Sequence, residues 1–410
     1  MVVLHSVVAS GQDTAAVLAD LDQRIGRAPV GSAAAFVYAF YGCGHDDRAL
    51  HGFLARRFPG AALLGGTSCS GVMSQDGLWG AQSIGLLLID DPQGDYGVAS
   101  ARLGADPAAT AERVLQAALL DAGCPGELPE LIWIYQAPGH EEAVIEGLRR
   151  IVGDRCPIIG GSAADDTVAG QWRQLGPRGI LADGLVVGVL FPSGGIGYAF
   201  QGGYEPAGPS GIVTRVGFDP AGSSGIVTAT RGRKILTIDG EPAAQVYNRW
   251  IGGRLDDKLA SGGNILLETT MSPLAVDAGR IEGVTHHLLI HPDAITPTGA
   301  LSTFATVEEG TRIYGMRGDK QRLVERAGKV AGQAAARLPG GPESLAGGLV
   351  VYCAGCMLAV DERMPSVTRE VARSFSDRPF LGCFTFGEQG CILEKNLHGN
   401  LMISAVAFGR

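Results

Sequence analysis

Short apolar runs alternate with amphipathic stretches along most of the chain. Residues 36–41 and 131–136 are two such runs, and each is followed by a turn that ends in Gly-His. Amphipathic stretches that end in arginine pairs come next, at residues 50–57 and 143–150. Apolar runs of this length indicate buried strands, and the amphipathic stretches indicate helices. Their alternation predicts an α/β architecture in which strand–helix–strand segments form right-handed crossovers.

The same order of features occurs twice in the first half of the chain and again near its end. A glycine turn follows each predicted helix, at Gly65, Gly160 and Gly382, and a further apolar strand closes each copy. The third copy carries about five extra residues before its glycine. We therefore predict a repeated strand–helix–strand unit at about residues 30–90, 128–192 and 346–408, within mixed β-sheets flanked by helices. The sheets are expected to be mixed because the closing strands follow long loops, which allow these strands to pair antiparallel to their neighbours.

A different segment separates the second and third copies. Residues 202–210 are rich in glycine and proline, which is typical of a linker. Residues 225–230 and 234–240 read as strands that end at an Asp-Gly turn, and residues 241–251 read as a helix. With a length of 410 residues, this favours two domains, at 1–214 and 215–410.

The glycine turns and their neighbours resemble the FIST family. Residues 65–71, after Phe58-Pro-Gly, and residues 160–166 are similar to its N-terminal half, and residues 236–243 with Tyr247 are similar to the start of its C-terminal half. Later matches are residues 309–310, 316–319 and 384–388. The resemblance covers about residues 30 to 408, and it assigns residues 1–214 to a FIST N-like domain and 215–410 to a FIST C-like domain.

This resemblance implies a bacterial or archaeal sensory protein that binds a small molecule. Family members occur alone or joined to kinases, cyclic-dinucleotide enzymes and chemotaxis receptors, and one group binds haem and senses nitric oxide. The expected partner is therefore a separate histidine kinase or cyclic-dinucleotide signalling protein. The chain departs from the family where a Cys-Arg pair often follows the strand at Val351, because here the run is Cys353-Ala-Gly-Cys356.

Composition narrows the range of functions. The net charge is −9 and the basic residues are scattered, which excludes a surface that tracks a nucleic-acid backbone. The longest weakly polar stretches, residues 179–192 and 346–360, are too short for a membrane helix. Eight cysteines without an export signal favour a cytoplasmic location. Glycine accounts for 62 residues, which indicates many tight turns or close backbone approaches.

The glycine turns are the predicted ligand site, because α/β sheets bind ligands at the carboxyl ends of their strands. Asp166 and Glu388 each lie six residues after a repeated glycine, and we expect these carboxylates to hold an amine-bearing ligand. The predicted ligand-binding residues are Gly65, Gly66, Thr67, Ser68, Gly160, Gly161, Ser162, Asp166, Gly382, Cys383 and Glu388.

Cysteines and histidines leave three alternatives open. Buried structural cysteines are the simplest interpretation. Alternatively, Cys353, Cys356 and Cys383 bind a metal together with Cys391 or His398, or the cysteines act as redox thiols. The histidines that could bind haem are His286, His287, His291 and His398, although no cofactor is expected. No C-x-x-C-H motif for covalent haem is present.

An enzymatic function is not expected. The sequence contains no Gly-x-x-x-x-Gly-Lys loop and no supported G-x-S-x-G elbow, and Ser68 and Ser70 have no evident base. We therefore predict a small-ligand sensor of the FIST type. The alternatives are a haem or metal sensor of nitric oxide or redox state, and an enzyme with Cys353 or Cys383 as nucleophile.

Overall fold

The apolar runs of the sequence form buried strands in the computed structural model, which describes residues 1–28, 34–216 and 233–410. The prediction of an α/β fold with mixed sheets flanked by helices is confirmed. The predicted strand at residues 225–230 lies outside the described residues. No helix in the described part of the chain is both long and apolar enough to cross a membrane.

The helices that the sequence predicted begin and end close to their predicted positions. In chain order they are α1 (Thr14–Ile25), α2 (Asp47–Arg57), α3 (Pro107–Asp121), α4 (Glu141–Val152), α5 (Ala243–Trp250), α6 (Leu266–Thr269), α7 (Lys320–Ala336), α8 (Ala354–Val360) and α9 (Met364–Ser374). Short 3-10 turns lie at Asp256–Lys258, Pro342–Ser344 and Asp361–Arg363.

The strands of the first half are β1 (Val3–Ser10), β2 (Phe36–Tyr41), β3 (Ala62–Thr67), β4 (Val72–Ser74), β5 (Gly77–Trp79), β6 (Ser83–Asp90), β7 (Asp95–Arg102), β8 (Leu131–Gln136), β9 (Ile158–Ser162), β10 (Gln174–Gly176), β11 (Gly179–Leu181), β12 (Gly184–Phe191), β13 (Ile196–Gly202) and β14 (Glu205–Val216). Those of the second half are β15 (Lys234–Ile238), β16 (Glu241–Pro242), β17 (Gly263–Asn264), β18 (Leu274–Ile281), β19 (Val284–Ile290), β20 (Pro292–Ile295), β21 (Leu301–Thr303), β22 (Arg312–Arg317), β23 (Leu345–Cys353), β24 (Phe380–Thr385), β25 (Glu388–Ile392), β26 (Lys395–Gly399) and β27 (Met402–Gly409).

Three six-stranded sheets are built in the same way. Their orders are β1-β6-β2-β3-β10-β11, β7-β12-β8-β9-β25-β26 and β13-β27-β23-β24-β4-β5. In each sheet the third and fourth strands are parallel and the other neighbours are antiparallel. We call the four-strand cores of these sheets units 1, 2 and 3, in the order given.

Each sheet is completed by a hairpin from another unit. Counted in chain order, the third strands of units 1, 2 and 3 are β3, β9 and β24. The hairpin of unit 1, β4–β5, pairs with the third strand of unit 3; that of unit 2, β10–β11, pairs with the third strand of unit 1; and that of unit 3, β25–β26, pairs with the third strand of unit 2. The exchange is cyclic, so no unit contains all six strands of its own sheet. It hydrogen-bonds the three units into one ring.

The inner faces of the three sheets meet in one central core. Phe36 and Tyr38 of unit 1, Trp133 of unit 2, and Leu349 and Leu381 of unit 3 are buried together there. The outer face of each sheet packs on its own helices, α1 and α2, α3 and α4, or α7 and α9. The sheets therefore lie inside the ring and the helices outside it.

Local sequence signals account for the helix positions. The Asp46 carboxylate caps α2 by accepting hydrogen bonds from the backbone N–H groups of Arg48 and Ala49, at 3.0 and 2.9 Å. Helix α9 has proline in its first turn and buries Val367 and Val371 in the core that it shares with α7.

An insert interrupts unit 3 between β13 and α7. It contains β14 to β22 with α5 and α6, and its strands form a separate nine-stranded sheet. Residues 202–210 are therefore not a linker, because they include the end of β13 and the first half of β14. Strand β13 pairs with β27 near the C-terminus, so the N-terminal and C-terminal halves of the chain share a sheet.

The repeated glycines lie inside strands β3, β9 and β24, and not in turns as predicted. Each lies where an exchanged hairpin pairs with the third strand of a unit. A Cβ atom on Gly65 would lie 1.8 Å from the Ala39 carbonyl oxygen, and one on Gly160 would lie 1.9 Å from that of Ile134. Glycine is needed there because two backbones approach each other closely.

We expect Gly65→Ala to destabilise the protein by about 1 to 3 kcal/mol, the usual cost of overpacking a core. The control is Gly80→Ala, because a Cβ at Gly80 meets nothing within 4 Å. Urea unfolding measures both free energies of unfolding. If both variants lost the same free energy of unfolding, the close approach of two backbones at Gly65 would not be the reason that glycine is needed there.

Candidate functional site

The carboxyl ends of β8, β23 and β24 converge on a cavity of about 80 Å³. Pro138 and Gly139 follow β8, Ala354 and Gly355 follow β23, and Phe386 follows β24. The insert closes the opposite side. The full lining is Pro138, Gly139, Glu141, Val168, Trp172, Arg233, Leu266, His291, Phe304, Cys353, Ala354, Gly355, Leu358, Thr385, Phe386, His398 and Asn400. Units 2 and 3 and the insert therefore all contribute to this cavity.

Apolar side chains form the walls toward solvent. The rings of Trp172 and Phe386 lie edge to face with centroids 6.1 Å apart, and Phe304 lies at the same distance from the ring of His291. Leu358 is 52% exposed and marks the mouth of the cavity. A ligand body that enters here meets aromatic and aliphatic surface, as in most small-molecule sites.

A buried ion cluster forms the inner end. Arg233 Nη2 lies 2.7 Å from a Glu141 oxygen and 2.5 Å from a Glu142 oxygen. Glu141, at the start of α4, also accepts hydrogen bonds from the Gly139 N–H at 3.0 Å and the Ser162 hydroxyl at 2.7 Å. Burial acts to raise the pKa of Glu141, but Arg233 outweighs it, so the net pKa lies below its ordinary value.

Glu142 links this cluster to unit 3. Its second oxygen lies 3.0 Å from His398 Nδ1 and accepts the Thr306 N–H at 2.9 Å. Burial acts to raise the pKa of Glu142, while His398 and Arg233 lower it further, and the net direction is down. Both carboxylates are therefore ionised at neutral pH, and the cluster connects unit 2, unit 3 and the insert.

Three polar side chains of the lining each keep one buried atom without a hydrogen-bond partner among the described residues. These atoms are Arg233 Nε, His398 Nε2 and Asn400 Nδ2. The Asn400 side-chain oxygen accepts the His291 N–H at 3.3 Å, which leaves the amide nitrogen as the free end. An unpaired buried donor costs about 1 to 3 kcal/mol, so these atoms indicate where a ligand or water binds.

A metal ion does not fit the one cluster that could supply ligands. In the described part of the chain, the group of Cys, His, Asp or Glu atoms lying within 4.8 Å of one another is Glu141, Glu142 and His398. The Arg233 guanidinium already occupies the position that a cation would take. A cavity of about 80 Å³ also has no room for haem, since a cavity of about 150 Å³ is needed for benzene alone.

The predicted glycine residues are covered by the exchanged hairpins and are absent from the cavity lining. Thr67 Oγ1 accepts the Arg173 N–H at 2.9 Å, and Ser68 Oγ accepts the Phe384 N–H at 2.8 Å, so both hold neighbouring strands. Among the predicted ligand residues, Ser162 and Glu388 bond to residues that line the cavity, Glu141 and Thr385.

Asp166 and Glu388 do not occupy equivalent places, contrary to the expectation from their spacing. Asp166 is exposed in the loop after β9 and accepts the Ser70 N–H at 2.6 Å. Glu388 is fully buried in β25, where its oxygens accept from the Thr385 hydroxyl at 2.8 Å and the Met402 N–H at 3.0 Å. Burial and the neighbouring Cys353 raise the pKa of Glu388 well above its usual range. An uncharged carboxyl cannot anchor an amine by charge.

The predicted cysteine site is not assembled in the structure. Cys353 lines the cavity, Cys356 lies 3.5 Å from the Tyr204 hydroxyl, and Cys383 lies in the central core. They form no cluster with His398 within 4.8 Å. They separate because Cys383 is inside its strand, whereas Cys353 ends one. Burial raises the pKa of both the Cys353 and the Cys383 thiols, which opposes metal binding and nucleophilic attack.

Of the candidate haem histidines, His291 and His398 line the cavity. His291 is fully buried with Nε2 3.1 Å from the Leu266 carbonyl oxygen, and burial lowers its pKa to about 4. His286 and His287 lie on β19, outside the lining. Each of these places is set by the insert or by an exchanged hairpin, so sequence spacing alone could not separate them.

Sequence reasoning missed Arg233, Asn400 and Phe304. The only available signal was the acidic pair Glu141-Glu142 at the start of a helix, and acidic residues are common there because they stabilise the positive end of the helix dipole. Its cation, Arg233, lies in a segment of the insert that has no counterpart in units 1 and 2. A comparison of the repeated units therefore cannot reveal the pair formed by Arg233 and Glu141.

Two family models match the sequence. The FIST N domain model matches residues 35–217, and the FIST C domain model matches residues 243–391. Together they cover most of the chain. No curated protein matches.

Solved structures show only weak similarity. A cyanuric acid hydrolase from A. caulinodans has 12% identity over 49% of this chain and 72% of that chain, with a TM-score of 0.28. A chorismatase has 12% identity over 99% of both chains, with a TM-score of 0.37. PurL of T. maritima complexed with ATP has 9% identity over 77% of this chain and 72% of that chain, with a TM-score of 0.20. These scores are too low to establish a common fold.

We expect Glu388→Gln to stabilise the protein at pH 8 and to leave its stability unchanged near pH 4. The raised pKa of folded Glu388 means that its stability contribution is full below the unfolded pKa and is lost as pH rises toward the folded pKa. Each pH unit in that window lowers the free energy of unfolding by about 1.4 kcal/mol. Glutamine does not ionise, so the variant avoids this loss. Urea unfolding at the two pH values measures the free energies of unfolding of the wild type and the variant. If their difference is the same at both pH values, Glu388 is not uncharged at neutral pH.

Alkylation with iodoacetamide tests the buried thiols. Half-buried Cys43 should react first in the native protein, while Cys353 and Cys383 should react only after unfolding. Peptide mass spectrometry identifies the modified sites. Rapid native labelling of Cys353 would instead support cysteine chemistry at the cavity.

Proposed function

The chain belongs to the FIST family, a sensory-type domain, and from this premise we propose that it binds a small molecule in the cavity and signals through a separate partner. The observation that supports this proposal is that units 2 and 3 and the insert all contribute residues to the lining of one cavity. A ligand there touches all three parts at once. Its binding energy then depends on how these parts are placed relative to one another.

The proposed mechanism is a shift in population between an open and a closed cavity. The insert contributes Arg233, Leu266 and Phe304, and the units contribute the opposite wall. A ligand that contacts both sides favours the closed arrangement by its difference in affinity for the two states. The closed arrangement would present a different outer surface to the partner, which the family resemblance suggests is a histidine kinase or a cyclic-dinucleotide signalling protein.

We propose binding without catalysis at this site. The nearest candidate nucleophile, Cys353, has a pKa raised by burial, and Glu388 beside it is uncharged at neutral pH. His291, another buried titratable side chain of the lining, donates its Nε2–H to the Leu266 carbonyl oxygen and has a lowered pKa. Glu141 is paired with Arg233, and His398 faces Glu142. None of these groups therefore has a described contact that activates the thiol as a nucleophile needs.

A substitution at the mouth tests the location of the ligand. We expect Leu358→Trp to block entry, because Leu358 is half-exposed at the cavity mouth and a larger ring there fills it. Thermal unfolding is measured against a library of small metabolites. A ligand at 100 times its Kd adds about 2.7 kcal/mol to wild-type stability, and this gain should disappear in the variant.

The matched control is Leu120→Trp, on the exposed C-terminal turn of α3, where Leu120 is 70% exposed and does not line the cavity. It should keep the response to every metabolite that stabilises the wild type. Equal stabilisation of the Leu358→Trp protein by those metabolites would place the ligand elsewhere and overturn the proposal.

A further inference from the structure

Resting on this proposed function, we propose that the ligand is a short-chain carboxylic acid bound with its carboxylate at the inner end of the cavity. The carboxylate would accept hydrogen bonds from Arg233 Nε, Asn400 Nδ2 and His398 Nε2, and the apolar tail would lie against Trp172 and Phe304. The inference depends on which polar groups of the lining are free.

The free polar groups of the lining include donors that have no acceptor. Arg233 Nε carries a hydrogen that none of the described residues accepts. The amide nitrogen of Asn400 is a second such donor, because the Asn400 oxygen is committed to the His291 N–H. Leaving donors unpaired in a buried site costs more when one of them is charged. A ligand with acceptor oxygens removes that cost.

The acceptor oxygens of the ion cluster are already in use. Glu141 accepts from Gly139, Ser162 and Arg233, and Glu142 accepts from Thr306, Arg233 and His398. An ammonium group would therefore find no vacant carboxylate oxygen among these two residues. This distribution favours an anionic head group over an amine.

His398 adapts to a carboxylate. Its Nδ1 faces Glu142, so the neutral ring that donates there presents Nε2 as an acceptor. With both ring nitrogens donating, His398 would bond Glu142 at Nδ1 and the ligand carboxylate at Nε2. In that form Glu141 and Glu142 offset Arg233 and His398, so the ligand meets a cluster of balanced charge.

The volume limits the length of the acid. A cavity of about 80 Å³ is little more than half of the roughly 150 Å³ that holds benzene, so it accommodates an acid of about two carbons, which has fewer non-hydrogen atoms than benzene. The walls of Val168, Leu266 and Phe386 offer no described polar partner to its methyl group. The predicted class is therefore the shortest aliphatic acids, of which acetate is the example.

Three probes of the same shape separate the head groups: acetate, acetamide and acetamidinium. They are titrated into the full chain by calorimetry. We expect acetate to bind tightest, the neutral amide at least about tenfold more weakly, and the amidinium not at all, as charge-assisted hydrogen bonds are roughly twice as strong as neutral ones.

The variant Asn400→Asp replaces the amide donor with a carboxylate of the same shape. Acetate affinity should fall by about 100-fold and acetamidinium binding should appear, because the two like charges repel and the donor is lost. The control is Asn264→Asp, which adds the same charge at an exposed position outside the lining and should bind as the wild type does. Circular dichroism establishes that each variant is folded. If Asn400→Asp is unfolded, Asn400→Leu should show the loss of acetate binding alone.

Two failures are distinguishable. If the amide or amidinium binds wild type more tightly than acetate, or if none of the three binds, the carboxylic-acid class is wrong. The cavity proposal still stands in that case if the Leu358→Trp substitution removes the response to other metabolites. If acetate binds Leu358→Trp as it binds wild type, the acid does not enter the cavity and this inference is overturned.

Discussion

The cyclic exchange of hairpins is the constraint on which the rest of the structure depends. Without it, the third strand of each unit would leave a row of backbone N–H and C=O groups unpaired at a sheet edge. The exchanged hairpins cover these edges at Gly65, Gly160 and Gly382. The exchange also carries β26 of unit 3 into the sheet of unit 2, and so brings His398 beside Glu142 of α4. The cavity exists because of this crossing.

A second long-range constraint is the buried arginine. Arg233 brings a full charge into a site where it is 3% exposed, and the cost of desolvation is offset by two carboxylates and their hydrogen bonds. Loss of one partner of such a pair typically costs about 3 to 5 kcal/mol. The insert is therefore held against unit 2 by a few strong contacts, and any molecule bound beside Arg233 acts on the same contacts.

Local features were predictable and long-range ones were not. Periodicity predicted the strand over residues 36–41 and the helix over 143–150, because both are decided by neighbouring residues. Strand β7 was missed because it is half-exposed and lacks a continuous apolar run. The family resemblance is confirmed. The glycines were found, but the hairpins that pair beside them come from distant parts of the chain, and the partner of Glu141 is 92 residues away.

The exchanged hairpins have a consequence for how the chain is made. On the ribosome, β4 and β5 emerge long before β24, the strand with which β4 pairs. Unit 1 likewise waits for β10 before its own sheet is complete. Contacts this distant in sequence slow folding and leave strand edges exposed in the meantime. The ring can therefore close only after synthesis is almost complete, and nascent chains would need protection from association until β27 is in place.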